Sequence, residues 1–199
     1  MNILAHAYLS FRDPDTLVGN LISDFVKGKK KFDYSLPIQR GIELHRAIDD
    51  FTDHHPATKA AMEVFRPTYR LYCGAFVDVA YDHFLARDDS EFPGNGLAEF
   101  AAWVYETADQ YRGSMPENFE RMLPYMRSQN WLLNYASLQG MDNSFNGLVR
   151  RSANLTDSAP ASALFREHYQ LLGDCYRHFW ADVLPFARDR YQSLANLPG

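Results

Sequence analysis

Three segments of this 199-residue chain place carboxylates and imidazoles at helical spacing among apolar neighbours. In Gly41-Ile42-Glu43-Leu44-His45-Arg46-Ala47-Ile48-Asp49-Asp50-Phe51-Thr52-Asp53, the residues His45, Asp49 and Thr52 share one helix face, with Asp53 just beside it. Asp78 and Asp82 repeat the four-residue spacing in Phe76-Val77-Asp78-Val79-Ala80-Tyr81-Asp82-His83-Phe84-Leu85, and His83 there is turned roughly 100° away from Asp82. Asn20 and Asp24 form a third pair, and His6 sits in the apolar opening segment Leu4-Ala5-His6-Ala7-Tyr8-Leu9. A single Asp-x-x-x-Asp is usually a solvated helix face, and a single histidine among apolar residues is usually a hydrogen-bonded core group. The coincidence of three such pairs argues otherwise. Carboxylates facing one another in a core repel and lose their charge unless a cation is present, and a divalent metal is the simplest cation. Several Asp with one or two His and no nearby cysteine suit Mn²⁺, Mg²⁺ or Fe²⁺ better than a structural zinc. A metal so held lowers the pKa of water and stabilises a phosphoryl oxygen, the chemistry of phosphoester hydrolysis. The chain has no Gly-x-Ser-x-Gly elbow, phosphate-binding glycine loop, dinucleotide fingerprint or Cys-x-x-Cys.

The elements that must position these groups read as helices. Asp13-Pro14 caps and opens a segment over about 14–26 that Gly28 closes. Leu36-Pro37 opens a second, to about 53, before His55-Pro56. Further helices are expected over about 58–65, 71–86, 97–111, 116–134 with a kink at Pro124, 139–151, and 162–190 kinked or broken at Pro185. Pro93-Gly94-Asn95-Gly96 is the clearest loop. Strand signals are poor, and neither an internal repeat nor a composition break marks a second domain. The expectation is one all-α domain of about eight helices, spanning 1–199.

Composition supports a packed domain: 46% of residues are hydrophobic and 15% aromatic, enough for a core without metal or disulfide staples. The net charge of −5 opposes nucleic-acid binding, whose affinity rests on neutralising phosphates. Two cysteines, Cys73 and Cys175, do not form a disulfide framework. The opening residues lack a basic and apolar leader pattern, and no apolar run approaches the roughly 20 residues of a membrane span. A reduced, cytoplasmic setting is therefore expected.

The same residues carry a family resemblance. Met1-Asn2-x-Leu4-Ala5-His6, Gly19-Asn20-x-x-x-Asp24-Phe25, Gly41-Ile42-x-x-His45-Arg46-x-Ile48-Asp49-x-x-Thr52-Asp53 and Asp78-x-x-x-Asp82-His83-Phe84-Leu85 resemble the acyl carrier protein phosphodiesterase family. Trp131-Leu132-x-x-Tyr135, Gly140 and Leu148-Val149-Arg150-Arg151 extend a looser likeness through the carboxyl-terminal half. The resemblance implies an all-helical enzyme distantly related to HD-type metal-dependent phosphohydrolases. It implies hydrolysis of the phosphodiester joining 4′-phosphopantetheine to a serine of acyl carrier protein, with Mn²⁺ or Mg²⁺. Asp24, His45, Asp49 and Asp82 are then the implied metal ligands or their immediate shell. His83, His6 and Asp78 are implied to orient water, protonate the leaving oxygen or brace a ligand, Arg46 to neutralise a phosphate oxygen, and Asn20 to hold a ligand or a phosphate oxygen. The HD order of His-Asp is reversed here as Asp82-His83, so that superfamily's ligand list is not carried over. Another phosphohydrolase acting on a nucleotide or signalling phosphodiester, and a non-catalytic helical binding protein, are both compatible with the residues alone.

Four of only five lysines, Lys27, Lys29, Lys30 and Lys31, fall within five positions beginning three residues after Asp24. The pattern suits either a solvated loop or a docking patch for an acidic carrier protein beside the expected site.

Overall fold

A computed structural model describes residues 2–196; Met1, the first residue of the opening motif, and 197–199 lie outside them. Among the described residues there are eleven α-helices and no strand: α1 Ile3–Tyr8, α2 Pro14–Ile22, α3 Leu36–His54, α4 Pro56–Tyr69, α5 Cys73–Ala86, α6 Gly96–Gln110, α7 Glu117–Ser128, α8 Trp131–Asn134, α9 Leu138–Arg151, α10 Ala159–Glu167 and α11 Tyr169–Ala195. They share one apolar core, to which Leu4, Ile22, Ile42, Phe76, Phe145 and Phe179 all contribute fully buried side chains. Among the described residues, no helix is long and apolar enough to cross a membrane. Cys73 and Cys175 are buried free thiols.

The helix count exceeds the expected eight because long patterns break. The segment read as one helix over 116–134 passes through Pro124 unbroken but ends at Ser128, and Asn130, just before α8, adopts a left-handed conformation (φ 45°, ψ 58°). Asparagine tolerates that region better than other non-glycine residues. The segment read over 162–190 breaks at His168 and runs through Pro185. The stretch expected to be helical to 26 leaves α-geometry at Ile22, makes a 3₁₀ turn over Ser23–Phe25 and becomes extended at Val26. Gly28 follows at φ +57° and opens a second 3₁₀ segment, Gly28–Asp33, which holds Lys29, Lys30 and Lys31.

Two glycines set the crossing that matters most. α2 starts where Pro14 takes the first helical position and the Asp13 carboxylate accepts the Thr16 amide at 2.7 Å. It then packs backbone to backbone on α3 at Gly19 and Gly41. A Cβ at Gly19 would lie 2.2 Å from the Ile38 carbonyl oxygen, and one at Gly41 would lie 2.5 Å from that of Thr16. No other residue fits at either position, and this contact brings the end of α2 against the middle of α3.

α1 is only six residues long and depends on tertiary clamps. At its start the Asp82 carboxylate accepts the amides of Leu4 and Ala5, each at 2.9 Å. At its end the Tyr8 hydroxyl donates to Glu91, whose other oxygen accepts the Trp180 indole N–H at 2.9 Å. His6 is held between these clamps.

Candidate functional site

His45 and Asp49 project one turn apart from the buried side of α3. The α2–α3 crossing sets Asn20 beneath His45 and Asp24 beside it, while α1 supplies His6. His6 Nε2 lies 3.0 Å from Asp49 Oδ1, and His45 Nε2 lies 3.0 Å from Asp49 Oδ2 and 3.2 Å from Asp24 Oδ1. The two imidazoles stack with centroids 3.8 Å apart and planes 14° from parallel. Five residues singled out in the sequence thus meet at one point.

The hydrogen bonds fix which nitrogen carries which proton. The Asn20 amide group donates to the His6 carbonyl at 2.9 Å and to Ser10 Oγ at 3.1 Å, so its oxygen is the atom facing His45 Nδ1 at 3.1 Å. His45 Nδ1 therefore carries a hydrogen. In the neutral ring, Nε2 would then aim a lone pair at two carboxylates, an arrangement that only a cation relieves. In the metal-free protein that cation is a proton. Burial works against it, but hydrogen bonds to Asp24 and Asp49 prevail and hold His45 up at about 9. Burial and the charge of His45 push the stacked His6 down to about 4. Burial also opposes ionisation of Asp49, yet hydrogen bonds from both imidazoles hold its carboxyl well below the usual range. Asp24 is lowered chiefly by its hydrogen bond with His45.

The donor set fits a divalent metal. Ligand atoms of His6, His45 and Asp49 all lie within 4.8 Å of one another, close enough for one ion to bridge at ordinary bond lengths. Asp24 extends the set to two imidazoles and two carboxylates. Asn20, fully buried, acts on His45 as an orienting partner of the kind that fixes a metal-binding imidazole.

The other sequence candidates lie elsewhere. Asp82 is fully buried and commits both oxygens to the α1 amides, so it braces the helix that carries His6 and does not enter the cluster. Burial raises its pKa to about 7 against the pull of those amides. His83 points away from Asp82 toward a different neighbour of α5: its Nδ1 donates to the Tyr135 carbonyl at 2.6 Å and its Nε2 accepts from the Tyr169 hydroxyl at 2.9 Å. The angular separation already visible in the sequence accounts for this. Asp78 is half-buried, and its carboxyl is raised by burial and by the charge of Asp49, which puts it within electrostatic reach of the cluster. Arg46 donates to the Val26 carbonyl at 3.1 Å and so ties α3 to the chain just beyond Asp24. Of the lysines, Lys27, Lys29 and Lys30 are exposed, whereas Lys31 pairs with Glu43. Sequence reasoning missed Ser10, the second acceptor for Asn20, because a serine in a turn carries no distinguishing pattern.

The Asp24 side chain is 77% exposed, so it marks the mouth of the cluster. It also lines a cleft of about 660 Å³. The floor of the cleft includes Ile3, Leu21, Val79, Phe119 and Trp131, and its walls carry Asn134, Asn143 and Asn146.

Residues 1–183 match the family described as acyl carrier protein phosphodiesterase. Proteins of that name from Yersinia pestis (32% identical over 96% of this chain and 99% of its own), Photorhabdus laumondii (29% over 96% of each) and Salmonella dublin (32% over 92% and 96%) align along nearly their full lengths. No solved structure matches the chain. The chain belongs to the acyl carrier protein phosphodiesterase family.

Proposed function

We propose that this chain hydrolyses the phosphodiester between 4′-phosphopantetheine and a serine of acyl carrier protein, using a divalent metal held by His6, His45, Asp49 and Asp24. The observation that carries the metal is His45 Nε2 aimed at two carboxylates while Nδ1 is tied to Asn20. Mn²⁺ or Mg²⁺ fits a donor set of oxygen and imidazole without thiolate. When bound, the ion supplies an acidified water and charge stabilisation for the phosphoryl group. The protein's own part is orientation. Asn20 keeps the His45 ring fixed, α1 with its Asp82 brace delivers His6, and Arg46 steadies the backbone that presents Asp24. In the reaction the water oxygen bonds to phosphorus, the bond from phosphorus to the serine oxygen breaks, and a proton passes to that oxygen. The products are the apo-protein and free 4′-phosphopantetheine.

The exposed Lys27, Lys29 and Lys30 begin three residues after Asp24 and are suited to receive an acidic carrier protein. With a net charge of −5, the chain suits a protein substrate met at a local positive patch better than a nucleic acid. A bacterial cytoplasm is the setting this reading implies. The test is incubation of the full chain with holo-acyl carrier protein and Mn²⁺, followed by intact mass. Loss of the phosphopantetheine mass, dependent on the metal, is the expected result. Turnover of nucleotides but not of holo-carrier would transfer the activity to another phosphodiester.

A further inference from the structure

The cleft beside Asp24 has a composition that the metal cluster alone does not require. Its floor is apolar, with Ile3 from α1, Leu21 from α2, Val79 from α5, Phe119 from α7 and Trp131 from α8. Carboxamides gather around that floor: Asn2, Gln129, Asn134, Asn143 and Asn146. Four of them already spend one group within the protein: Asn2 donates to Tyr135 and Asn134 to the Gln129 carbonyl, while the Gln129 and Asn143 side-chain oxygens accept from Trp131 and Gln139. Their remaining donors and acceptors complement a secondary amide. Arg150 and Arg151, in the last turn of α9, add positive charge to one wall. The cleft therefore suits a flexible chain that alternates amides with aliphatic groups and carries one phosphate. Its volume of about 660 Å³ lies within the range of roughly 300–1,000 Å³ typical for sites of cofactor-sized ligands. Asp24 belongs to both the cleft and the metal cluster, so a chain lying in the cleft has one end at the reactive centre.

Resting on the function proposed above, we infer that this cleft holds the phosphopantetheine arm, with its phosphate at the Asp24 end, where a divalent metal held by the cluster would receive it, and its two amides among the carboxamides of α8 and α9. The carrier protein then stays outside, on the lysine side of Asp24, and the scissile bond lies between the two. The arm's methyl and methylene groups meet the apolar floor, and Trp131 lies against the bound chain.

Gly147 provides a test with little risk to folding. It lines the cleft from α9, and a Cβ there meets only the mobile end of Arg151 at 3.5 Å. Replacing a helical glycine also favours the helix. Gly147→Leu fills the cleft and is expected to raise KM for holo-carrier at least about tenfold, with melting temperature and Mn²⁺ affinity retained. Free 4′-phosphopantetheine, titrated into the wild-type chain, is expected to change Trp131 emission; Trp131→Phe removes the signal and Gly147→Leu shifts it to higher concentration. If holo-carrier is cleaved and Gly147→Leu leaves both KM and the titration unchanged, the cleft assignment is wrong and the function stands. If the titration responds to Gly147→Leu but the wild type never cleaves holo-carrier, the function falls and the cleft stands. Neither cleavage nor binding overturns both.

Discussion

His45 and His83 are both buried imidazoles flanked by an aspartate in the sequence pattern, yet their surroundings give them opposite character. Each has Nδ1 committed to an oxygen: Asn20 Oδ1 for His45, the Tyr135 carbonyl for His83. They differ at Nε2. That of His83 accepts from the Tyr169 hydroxyl, so the ring is complete when neutral, and burial pushes its pKa down to about 4. That of His45 faces two carboxylates, so the ring is complete only with a cation at that nitrogen. A neutral donor at Nε2 makes a histidine part of the core, and a pair of anions makes it part of a site.

The largest effect expected from that difference is on turnover. His45→Ala or Asp49→Ala removes a metal-holding group, and kcat/KM toward holo-carrier should fall about a thousandfold or more, roughly 4 kcal/mol of transition-state stabilisation. Mn²⁺ affinity, followed by the electron paramagnetic resonance of the free ion, should fall with it. His83→Gln, judged at pH 7 on folded protein, should cost less than about tenfold. Equal losses for both histidines would erase the distinction drawn between them.

The next effect is on stability and pH, and it belongs to His83. Its native pKa of about 4 lies below the unfolded value of 6.5, so the unfolded chain gains the proton first as pH falls. The stability tied to the neutral ring is therefore fully present above pH 6.5 and is lost progressively toward pH 4. The fall from 6.5 to about 4 corresponds to roughly 3 kcal/mol. His83→Gln does not titrate. It should be less stable than the wild type at pH 7, and the gap should close as pH drops to 4.5, as read from urea midpoints at several pH values. Parallel curves would show that His83 is not the neutral core group described here.

The sequence made the α3 half of the site legible and the rest only in part. The segment expected over 36–53 is observed as Leu36–His54, because Pro37 and His55-Pro56 punctuate both ends and the His45–Asp49 spacing defines a face by itself. Asn20 and Asp24 were legible as a pair. Their junction with α3 depends on the Gly19–Gly41 approach, a contact between helices that periodicity cannot display. Asp82 shows the limit most clearly. Its i, i+4 partner Asp78 suggests a chelating face, but its oxygens go to amides 77 and 78 residues away. An unsatisfied helix start is a strong attractor for a buried carboxylate, and no local pattern announces it. The cleft was illegible for the same reason, since residues from six helices line it.

The smallest effect concerns the lysines, and it extends the comparison from buried groups to exposed ones. Lys31 has a partner, Glu43, and its ammonium lies 5.0 Å from the Phe32 ring centroid, so it serves the local fold of the 3₁₀ segment. Lys27, Lys29 and Lys30 are exposed. Exposed charges act mainly on encounter, and salt screens them. Changing these three to Ser should raise KM for holo-carrier by about three- to tenfold at low ionic strength and flatten its salt dependence, with kcat little altered. Lys31→Ser should leave the salt dependence in place, because its charge is already engaged by Glu43. If the triple change moves kcat and leaves KM alone, the lysines shape the loop that carries Asp24. If the single Lys31 change alone abolishes the salt dependence, the docking charge sits at the paired lysine, and exposure is a poor guide to which cations meet the substrate.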